Sequence, residues 1–252
     1  MRPGPHHAEL SWITARPIAH RGLHNKANGI LENTQPAFAA AIAHNYPIEC
    51  DLQLSADGEA MVFHDEQLAR LTQAEGAVIH RTAAELQKLT YRIGNARMQT
   101  LAELLEQVKG QVPLIIELKS HWNRDNRLAA RAVEVLQGYK GQFALMSFDP
   151  DLVEAVRELD PTIIRGITAD RMVDAEWKML PLNKRMEMRY FTHLDRTAPH
   201  FVSYDWHGLP ADPVRHFRQN GLPVICWTIR SVETERRSHM HADQITFEGY
   251  LA

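Results

Sequence analysis

Short apolar runs alternate regularly with segments of helical periodicity along this chain. This alternation is typical of βαβ units, in which parallel strands form one sheet and helices cover it. A length of 252 residues fits one eight-stranded α/β barrel. The predicted strands are Pro17–His20, Ile48–Leu52, Ala60–His64, Leu114–Leu118, Phe143–Ser147, Thr162–Thr168, Phe201–Tyr204, Val224–Ile229 and Gln244–Phe247.

These nine strands are one more than a closed barrel of this class needs. The surplus strand is Ala60–His64, because the short stretch between Leu54 and Met61 leaves no room for the helix of a parallel crossover. Asp57-Gly58 instead indicates a hairpin turn. The sequence therefore predicts a TIM-type (β/α)8 barrel with one hairpin strand folded back over its mouth.

Start signals precede several of the predicted helices. They are Thr34 with Pro36, Thr100 with Glu103 in a capping box, and Asp149-Pro150; a further helix over 210–220 ends before Gly221. No linker or repeat divides the chain, so we expect one domain over residues 1–252.

Two segments do not follow the barrel rhythm. Residues 66–99 follow the hairpin and are expected to form a small insertion over the C-terminal face of the barrel. Residues 169–200 combine aromatic and Met side chains with Lys and Arg. They could form a lid, a subunit contact or a membrane-touching face, although an ordinary helical excursion packed on the barrel is favoured over each of these.

The composition excludes several classes of protein. Lys plus Arg number 28 and Asp plus Glu 31, giving a formal charge of −3 and no general attraction to nucleic acid or to anionic membranes. Cys50 and Cys226 are too few for a disulfide framework and are expected to be reduced. Without a segment that resembles a secretion signal or a membrane span, we expect a cytoplasmic protein with no stable membrane insertion. The sequence leaves open whether the protein forms a homo-oligomer, and the small molecule on which it acts is implied only by the family resemblance given below.

Polar residues stand at the ends of several predicted strands, where active sites of such barrels are built. His20 and Arg21 end the first strand, and His64 ends the hairpin. Glu49 and Asp51 share one face of the second strand, as Glu117 and Lys119 do at the end of the third, because side chains alternate along a strand.

Three carboxylates would converge if those faces point into the barrel. Such a cluster needs a cation or protons to neutralise it. Because all the ligand atoms would be oxygen, the cluster favours Mg²⁺ or Ca²⁺ over Zn²⁺. The sequence thus predicts a divalent-cation site at Glu49, Asp51 and Glu117.

Each of these signals also has a structural explanation. A single strand-end histidine is more often structural than catalytic, Glu49 with Asp51 could lie on a solvated edge, and Glu117 with Lys119 could be a surface pair. The residues from Glu32 to Thr34 could simply start a helix. Their coincidence on three strands and one hairpin favours a site. The other twelve histidines show no such pattern and receive no predicted role.

The order of the motifs strongly resembles the glycerophosphodiester phosphodiesterase family. The chain has HRG at 20–22, ENT at 32–34, ECD at 49–51, DG at 57–58, HD at 64–65, ELK at 117–119, SF at 147–148 and WTI at 227–229. The resemblance spans nearly the whole chain and implies a metal-dependent TIM barrel with an insertion after the HD hairpin.

The resemblance also implies roles for individual residues. Glu49, Asp51 and Glu117 would hold the metal, and His20 and His64 would form the acid–base pair. The substrate side would comprise Arg21 and Lys119 at the phosphate, Glu32 in support, and Phe148 and Trp227 near the organic part. The implied products are glycerol 3-phosphate and an alcohol, and the family suggests that the glycerol 2-hydroxyl attacks first.

Two positions depart from the family pattern. Leu31 stands where the family usually has Pro, and the last strand ends in Thr246-Phe247 rather than Thr-Asp. The second departure leaves the chemistry intact but could alter the mouth of the site. A lysophospholipid or other lipid diesterase of the same superfamily, and a catalytically silent barrel that binds a phosphodiester, remain alternative functions.

Overall fold

Eight parallel strands close into a barrel, with helices around its outside. The computed structural model describes residues 7–252, so residues 1–6 of the predicted domain lie outside the described part. The strands are β1 (Ile18–Ala19), β2 (Ile48–Leu54), β3 (Ala60–Val62), β4 (Leu114–Leu118), β5 (Phe143–Ser147), β6 (Arg165–Ala169), β7 (Phe201–Asp205), β8 (Val224–Ile229) and β9 (Gln244–Phe247). Pairing of β1 with both β2 and β9 closes the ring, which confirms the predicted TIM-type (β/α)8 barrel.

Strand β3 lies outside the ring, antiparallel to β2 with Val62 opposite Leu52. The hairpin prediction is therefore confirmed, although β3 ends at Val62 and leaves His64 in the loop that follows. Two other strands are shorter than predicted. Strand β1 ends before His20, and β6 begins only at Arg165, because Thr162 belongs to a turn in which its backbone N–H donates to the Asp160 carboxylate.

The described residues form ten α-helices. They are α1 (His7–Thr14), α2 (Gln35–Ala43), α3 (Ala83–Leu86), α4 (Leu101–Val108), α5 (Arg127–Leu136), α6 (Pro150–Leu159), α7 (Leu182–Tyr190), α8 (Leu194–Thr197), α9 (Asp212–Gln219) and α10 (Val232–Ser238). Thr100 and Glu103 form the predicted capping box, and Asp149 caps α6.

Thr34 differs from its predicted role as a side-chain cap. It occupies the N-cap position of α2, but its hydroxyl donates to the Leu31 carbonyl instead of accepting from a helical N–H. Asn33, buried and at a positive φ of 54°, turns the chain just before the helix. The ENT motif therefore shapes the loop after β1 more than it caps the helix.

Three groups of buried apolar residues fill the molecule. The largest lies between the barrel and its helices and includes Cys50 and Leu52, whose side chains point outward as the alternation along β2 predicted. A second group, with Ile115 and Phe201, fills the barrel together with Leu10 and Ile13 of α1. Both cysteines are buried and free, as expected.

Residues 66–99 have an apolar cluster of their own, which includes Leu68, Leu86 and Tyr91 and also takes in Phe63 of the hairpin loop. The segment follows the loop at His64, in the position expected for the insertion. Residues 169–200 form a helical excursion containing α7 and α8, the arrangement favoured from the sequence. No helix within 7–252 is long and apolar enough to cross a membrane.

Candidate active site

A cavity of about 240 Å³ opens at the C-terminal ends of the strands. Nine of the residues predicted for the site line this cavity. They are His20, Arg21, Glu49, Asp51, His64, Glu117, Lys119, Phe148 and Trp227. A larger hollow of about 610 Å³ elsewhere has Asp160 as its one charged lining residue. The mouth of the barrel is thus where chemically active groups converge.

The loop after β1 is shaped to carry the first of these groups. Arg21 has a positive φ of 54° and Gly22 one of 78°. A Cβ on Gly22 would lie 2.9 Å from the backbone carbon of Ala37, so only glycine lets this loop pack against α2. The loop in turn lets the backbone N–H of Arg21 donate to Glu49 Oε2 at 2.9 Å.

Three carboxylates meet on the inner face of the barrel, as the alternation predicted. Asp51 pairs directly with Glu117 across β2 and β4, and Glu49 lies two residues earlier on the same face. All three are buried, with exposures of 1%, 7% and 2% in that order. One ligand oxygen from each lies within 4.8 Å of the others, which is the spacing that a shared cation requires.

Two cations already border the carboxylates. Lys119 Nζ lies 2.8 Å from Asp51 Oδ1 and 2.6 Å from Glu117 Oε1. Arg21 Nε lies 3.4 Å from Asp51 Oδ2, yet it makes no hydrogen bond to any described residue. That guanidinium therefore keeps a buried donor for an anion in the cavity.

These two cations do not affect Glu49 and Asp51 equally, and the pKa values of the two carboxyl groups shift in opposite directions. Burial, then repulsion from Asp51 and Glu117, holds the pKa of Glu49 well above its usual range. Burial would also raise the pKa of Asp51, but Lys119, His64 and Arg21 together hold it well below its usual range. Glu49 therefore binds a proton readily when no further cation is present, and a metal ion would replace that proton.

His20 is anchored by a residue that received no role from the sequence. Its Nδ1 lies 2.5 Å from Glu248 Oε2, and its Nε2 lies 4.0 Å from Glu49 Oε2. Burial lowers the pKa of His20 to about 4, although the Glu248 hydrogen bond opposes this. The ring is thus neutral at pH 7, with Nδ1–H donating to Glu248 and Nε2 turned toward the carboxylates.

Glu248 also contacts two other side chains at the mouth. His24 Nε2 lies 3.5 Å from Glu248 Oε2, and Arg230 donates to Oε1 at 2.8 Å. His24 received no role from the sequence, and the structure places it beside the carboxylate that also contacts His20. Thr246 lines the cavity and Phe247 is buried in the outer core. Because side chains alternate along the chain, Glu248 faces the inner side again. It follows Phe247, which stands where the family usually has Asp.

His64 is held in the same manner as His20. Its Nδ1 lies 2.7 Å from Asp65 Oδ1. Arg70, from the insertion, donates to both oxygens of Asp65 and to both oxygens of Glu32. The position of this imidazole consequently depends on a side chain outside the barrel.

Glu32 does not line the cavity but lies behind it. It accepts from Arg21 at 2.6 Å and from Arg70 at 2.6 and 2.9 Å. Burial would raise the pKa of Glu32, but the Arg70 hydrogen bond and the charge of Arg21 lower it to about 2. These contacts fit a residue that orients Arg21 better than one that touches a substrate.

Asn33 of the same motif fixes Asp51. Its Nδ2 donates to Asp51 Oδ2 at 2.8 Å, and the backbone N–H of Asp51 donates to its Oδ1 at 3.3 Å. Neither contact was foreseen, because a side chain in a loop can only be assigned a partner on a distant strand once the fold is known.

Aromatic rings form one wall of the cavity. Phe148 lies edge-on to Trp227 with ring centroids 5.7 Å apart, and Trp177 packs against Phe148 at 5.1 Å. Trp177 is buried and donates to Asp170 Oδ2, so the helical excursion supports this wall. Phe148 and Trp227 therefore form the predicted aromatic side of the site, and Trp177 packs behind Phe148 without lining the cavity.

Comparison with known proteins agrees with this geometry. The model of the glycerophosphoryl diester phosphodiesterase family matches residues 20–246. A glycerophosphodiester phosphodiesterase of Caldanaerobacter subterraneus is 28% identical over 239 residues, or 90% of this chain and 91% of that protein.

Solved structures share the fold. The glycerophosphodiester phosphodiesterase of Thermotoga maritima matches with a TM-score of 0.71 at 25% identity, over 92% of this chain and 94% of that one. A phosphodiesterase of Oleispira antarctica, solved with the product sn-glycerol-3-phosphate, matches with a TM-score of 0.77 at 22% identity, over 92% of each chain. Because the family match spans every residue that lines the cavity, this chain belongs to the glycerophosphoryl diester phosphodiesterase family and is a phosphoric diester hydrolase.

Proposed function

We propose that the protein hydrolyses glycerophosphodiesters to glycerol 3-phosphate and an alcohol, with a divalent cation and two acid–base histidines. The observation that carries this proposal is the cluster of three buried carboxylates in a cavity that His20 and His64 also line. The glycerol 3-phosphate bound by the Oleispira antarctica phosphodiesterase supports the same product here.

The residues present fit one divalent cation. Glu49, Asp51 and Glu117 offer oxygen ligands only, which is the donor set that Mg²⁺ and Ca²⁺ prefer. The raised pKa of Glu49 supports the same conclusion, because that carboxylate lacks a sufficient positive charge beside it. When bound, the ion would supply Lewis-acid stabilisation of negative charge on the phosphoryl oxygens.

Arg21 and Lys119 bind the phosphodiester anion. Both line the cavity, and the unpartnered Nε–H of Arg21 is free to donate to a non-bridging oxygen. Glu32 and Arg70 fix the guanidinium from behind. Donors placed in advance stabilise charge that grows on the phosphoryl group as the new bond forms.

His20 and His64 exchange the protons of the reaction. Each ring has Nδ1 against a carboxylate, so each presents Nε2, which has no hydrogen-bond partner among residues 7–252. One ring takes the proton from the attacking hydroxyl, and the other donates a proton to the leaving alkoxide. We infer from the family that the substrate's glycerol 2-hydroxyl attacks first, and that water then opens the cyclic phosphate.

Variants of the two histidines test the acid–base assignment. General acid–base catalysis contributes roughly 10²- to 10⁴-fold, so His20→Ala and His64→Ala should each lower kcat by at least about 100-fold. Circular dichroism should show that both variants are folded. Near-normal turnover of a glycerophosphodiester by either variant would refute the assignment.

Metal removal tests the cation separately. EDTA should abolish turnover of glycerophosphocholine, and Mg²⁺ or Ca²⁺ should restore it. The variant Glu117→Gln should lose cation binding in a calorimetric titration even without substrate. Full activity in EDTA, or restoration by Zn²⁺ alone, would contradict the proposed site.

A lipid diester is the second candidate substrate. The aromatic wall of Phe148 and Trp227 favours it, because such a wall would also accommodate an apolar group. Glycerophosphocholine and lysophosphatidylcholine assayed side by side distinguish the two classes. Faster turnover of the lysolipid would replace the first candidate by the second.

A further inference from the structure

One surface of the protein exposes apolar side chains that the reaction does not use. Nine large apolar side chains are strongly exposed among the described residues, and five of them lie in residues 173–190: Val173, Met179, Leu182, Met186 and Tyr190. Scattered exposed apolar residues are normal, whereas a concentration in one segment marks a contact surface.

Three of these residues form a stripe. Leu182, Met186 and Tyr190 follow one another at four-residue spacing along α7, with exposures of 63%, 40% and 52%. Residues at this spacing lie on one face of a helix. Met188, on the opposite face of α7, is buried. The outer face of α7 therefore carries apolar side chains that do not pack on the barrel.

Positive charge borders the apolar stripe. Arg185 and Arg189 each precede a stripe residue by one position, which places them along the edge of that face. With Arg171 and Lys178 they make four cations that form no ion pair within residues 7–252. Arg171, Lys178 and Arg189 are exposed, whereas Arg185 is half-buried and its Nε is enclosed. Lys184 and Glu187 of the same helix instead turn toward the barrel, where they pair with Asp151 and Arg196.

The stripe is tied to the mouth of the cavity. The segment leaves the C-terminal end of β6, and Trp177 packs on Phe148, which lines the cavity. Lys184 Nζ lies 3.3 Å from the carboxylate of Asp149, the residue after Phe148. A surface that engaged the stripe would therefore lie on the side of the molecule where the active site opens.

We propose that α7 docks this protein onto an anionic lipid surface, with the apolar stripe inserted among the lipids and the flanking cations at the headgroups. An apolar helix face bordered by Arg and Lys is the pattern of helices that lie in a membrane interface. Overall the chain carries a charge of −3, so the attraction is confined to this surface. Docking brings the cavity mouth to the lipid without a membrane-spanning segment.

Charge favours lipid over a second copy of the chain as the occupant. A symmetric dimer through α7 would bring both sets of four unpaired cations to one interface. An anionic lipid surface neutralises the same charges, at roughly a fivefold gain in binding for each Lys or Arg near it.

Vesicle binding tests the docking surface without any assay of turnover. The wild-type chain should sediment with phosphatidylglycerol vesicles, bind vesicles of pure phosphatidylcholine at least tenfold more weakly, and dissociate as salt is raised. The double variant Leu182→Glu with Met186→Glu should bind phosphatidylglycerol vesicles at least tenfold more weakly than wild type. Met240→Glu, at an equally exposed apolar residue far along the chain, should bind like wild type.

Two further measurements separate this proposal from the proposed reaction. The double variant should turn over soluble glycerophosphocholine at the wild-type rate, because neither residue lines the cavity. Light scattering should give the same mass for wild type and double variant. Equal vesicle binding by the double variant and Met240→Glu, no binding by wild type, or a wild-type dimer that the double variant dissociates would each overturn the proposal.

Discussion

At the scale of single residues, the site is defined as much by the groups behind the cavity as by those that line it. A carboxylate at Nδ1 of each imidazole fixes which ring nitrogen faces the substrate. This is the arrangement by which a buried carboxylate sets the tautomer and orientation of a catalytic histidine. In the proposed reaction, Glu248 would perform that role for His20 and Asp65 for His64.

Replacing Glu248 by Gln should test this role. The amide carries no negative charge and can turn its NH₂ group toward His20, so the ring loses its fixed tautomer. We expect kcat to fall by at least about tenfold with little change in KM, because Glu248 does not line the cavity. The control is Glu233→Gln, an exposed carboxylate of α10 paired with Arg236 and Arg237. Equal kcat values for the two variants would contradict the assignment.

At the scale of structural elements, the insertion is part of the active site although none of its residues lines the cavity. Its Arg70 bonds to Glu32, which holds Arg21 in the loop after β1, and to Asp65, which holds His64 after the hairpin. One guanidinium thus connects the proposed phosphate-binding residue Arg21 with the proposed acid–base residue His64. A planar fork with several donors can bond to two carboxylates at once, which an ammonium group cannot do in the same geometry.

Arg70→Ala should therefore lower kcat by more than tenfold and raise KM as Arg21 loses its support. Arg70 is 47% exposed, so guanidinium ion added to the solvent can reach the vacated space and should restore part of the rate. Arg92→Ala is the matched control, since Arg92 lies in the same insertion and donates only to the Ala69 carbonyl. If added guanidinium restored neither kcat nor KM, the loss would be attributed to an effect of Arg70 on folding alone.

At the scale of the whole molecule, burial of histidines makes stability depend on pH. His200 is buried beside β6, where its Nδ1 accepts the backbone N–H of Arg165 at 3.0 Å. Burial, then the charge of Arg165, lowers the pKa of His200 to about 4 from 6.5. The folded protein binds this proton more weakly than the unfolded chain does, so stability falls as pH drops from 6.5 to 4.

His200→Asn should remove part of that fall, because an amide oxygen can accept the same N–H and does not titrate. Between pH 6.5 and pH 4, the free energy of unfolding should fall by about 1–3 kcal/mol less in the variant than in wild type. Denaturant unfolding at several pH values measures this difference, with the exposed His80→Asn as control. Parallel pH dependences for wild type and His200→Asn would show that the ring is not the titrating group.

Several features could be predicted from the order of residues alone. The alternation of apolar runs and helices predicted the barrel, the short link at Asp57-Gly58 predicted the hairpin, and two-residue periodicity placed Glu49, Asp51 and Glu117 on the inner face. Phe148 and Trp227 followed from resemblance, and both line the cavity. For the hairpin and the inward-facing carboxylates local chemistry was enough, because each is decided within one strand or one turn.

The contacts between loops at the rim of the barrel, in contrast, depend on how the whole chain folds. His20 and Glu248 are 228 residues apart, and Arg70 lies 38 residues from Glu32; no periodicity relates either pair. They meet because pairing of β1 with β9 closes the ring and because the insertion folds back over the loop after β1. Closure of a barrel is a global property, so residues that share its rim can be identified only when every strand has its neighbour.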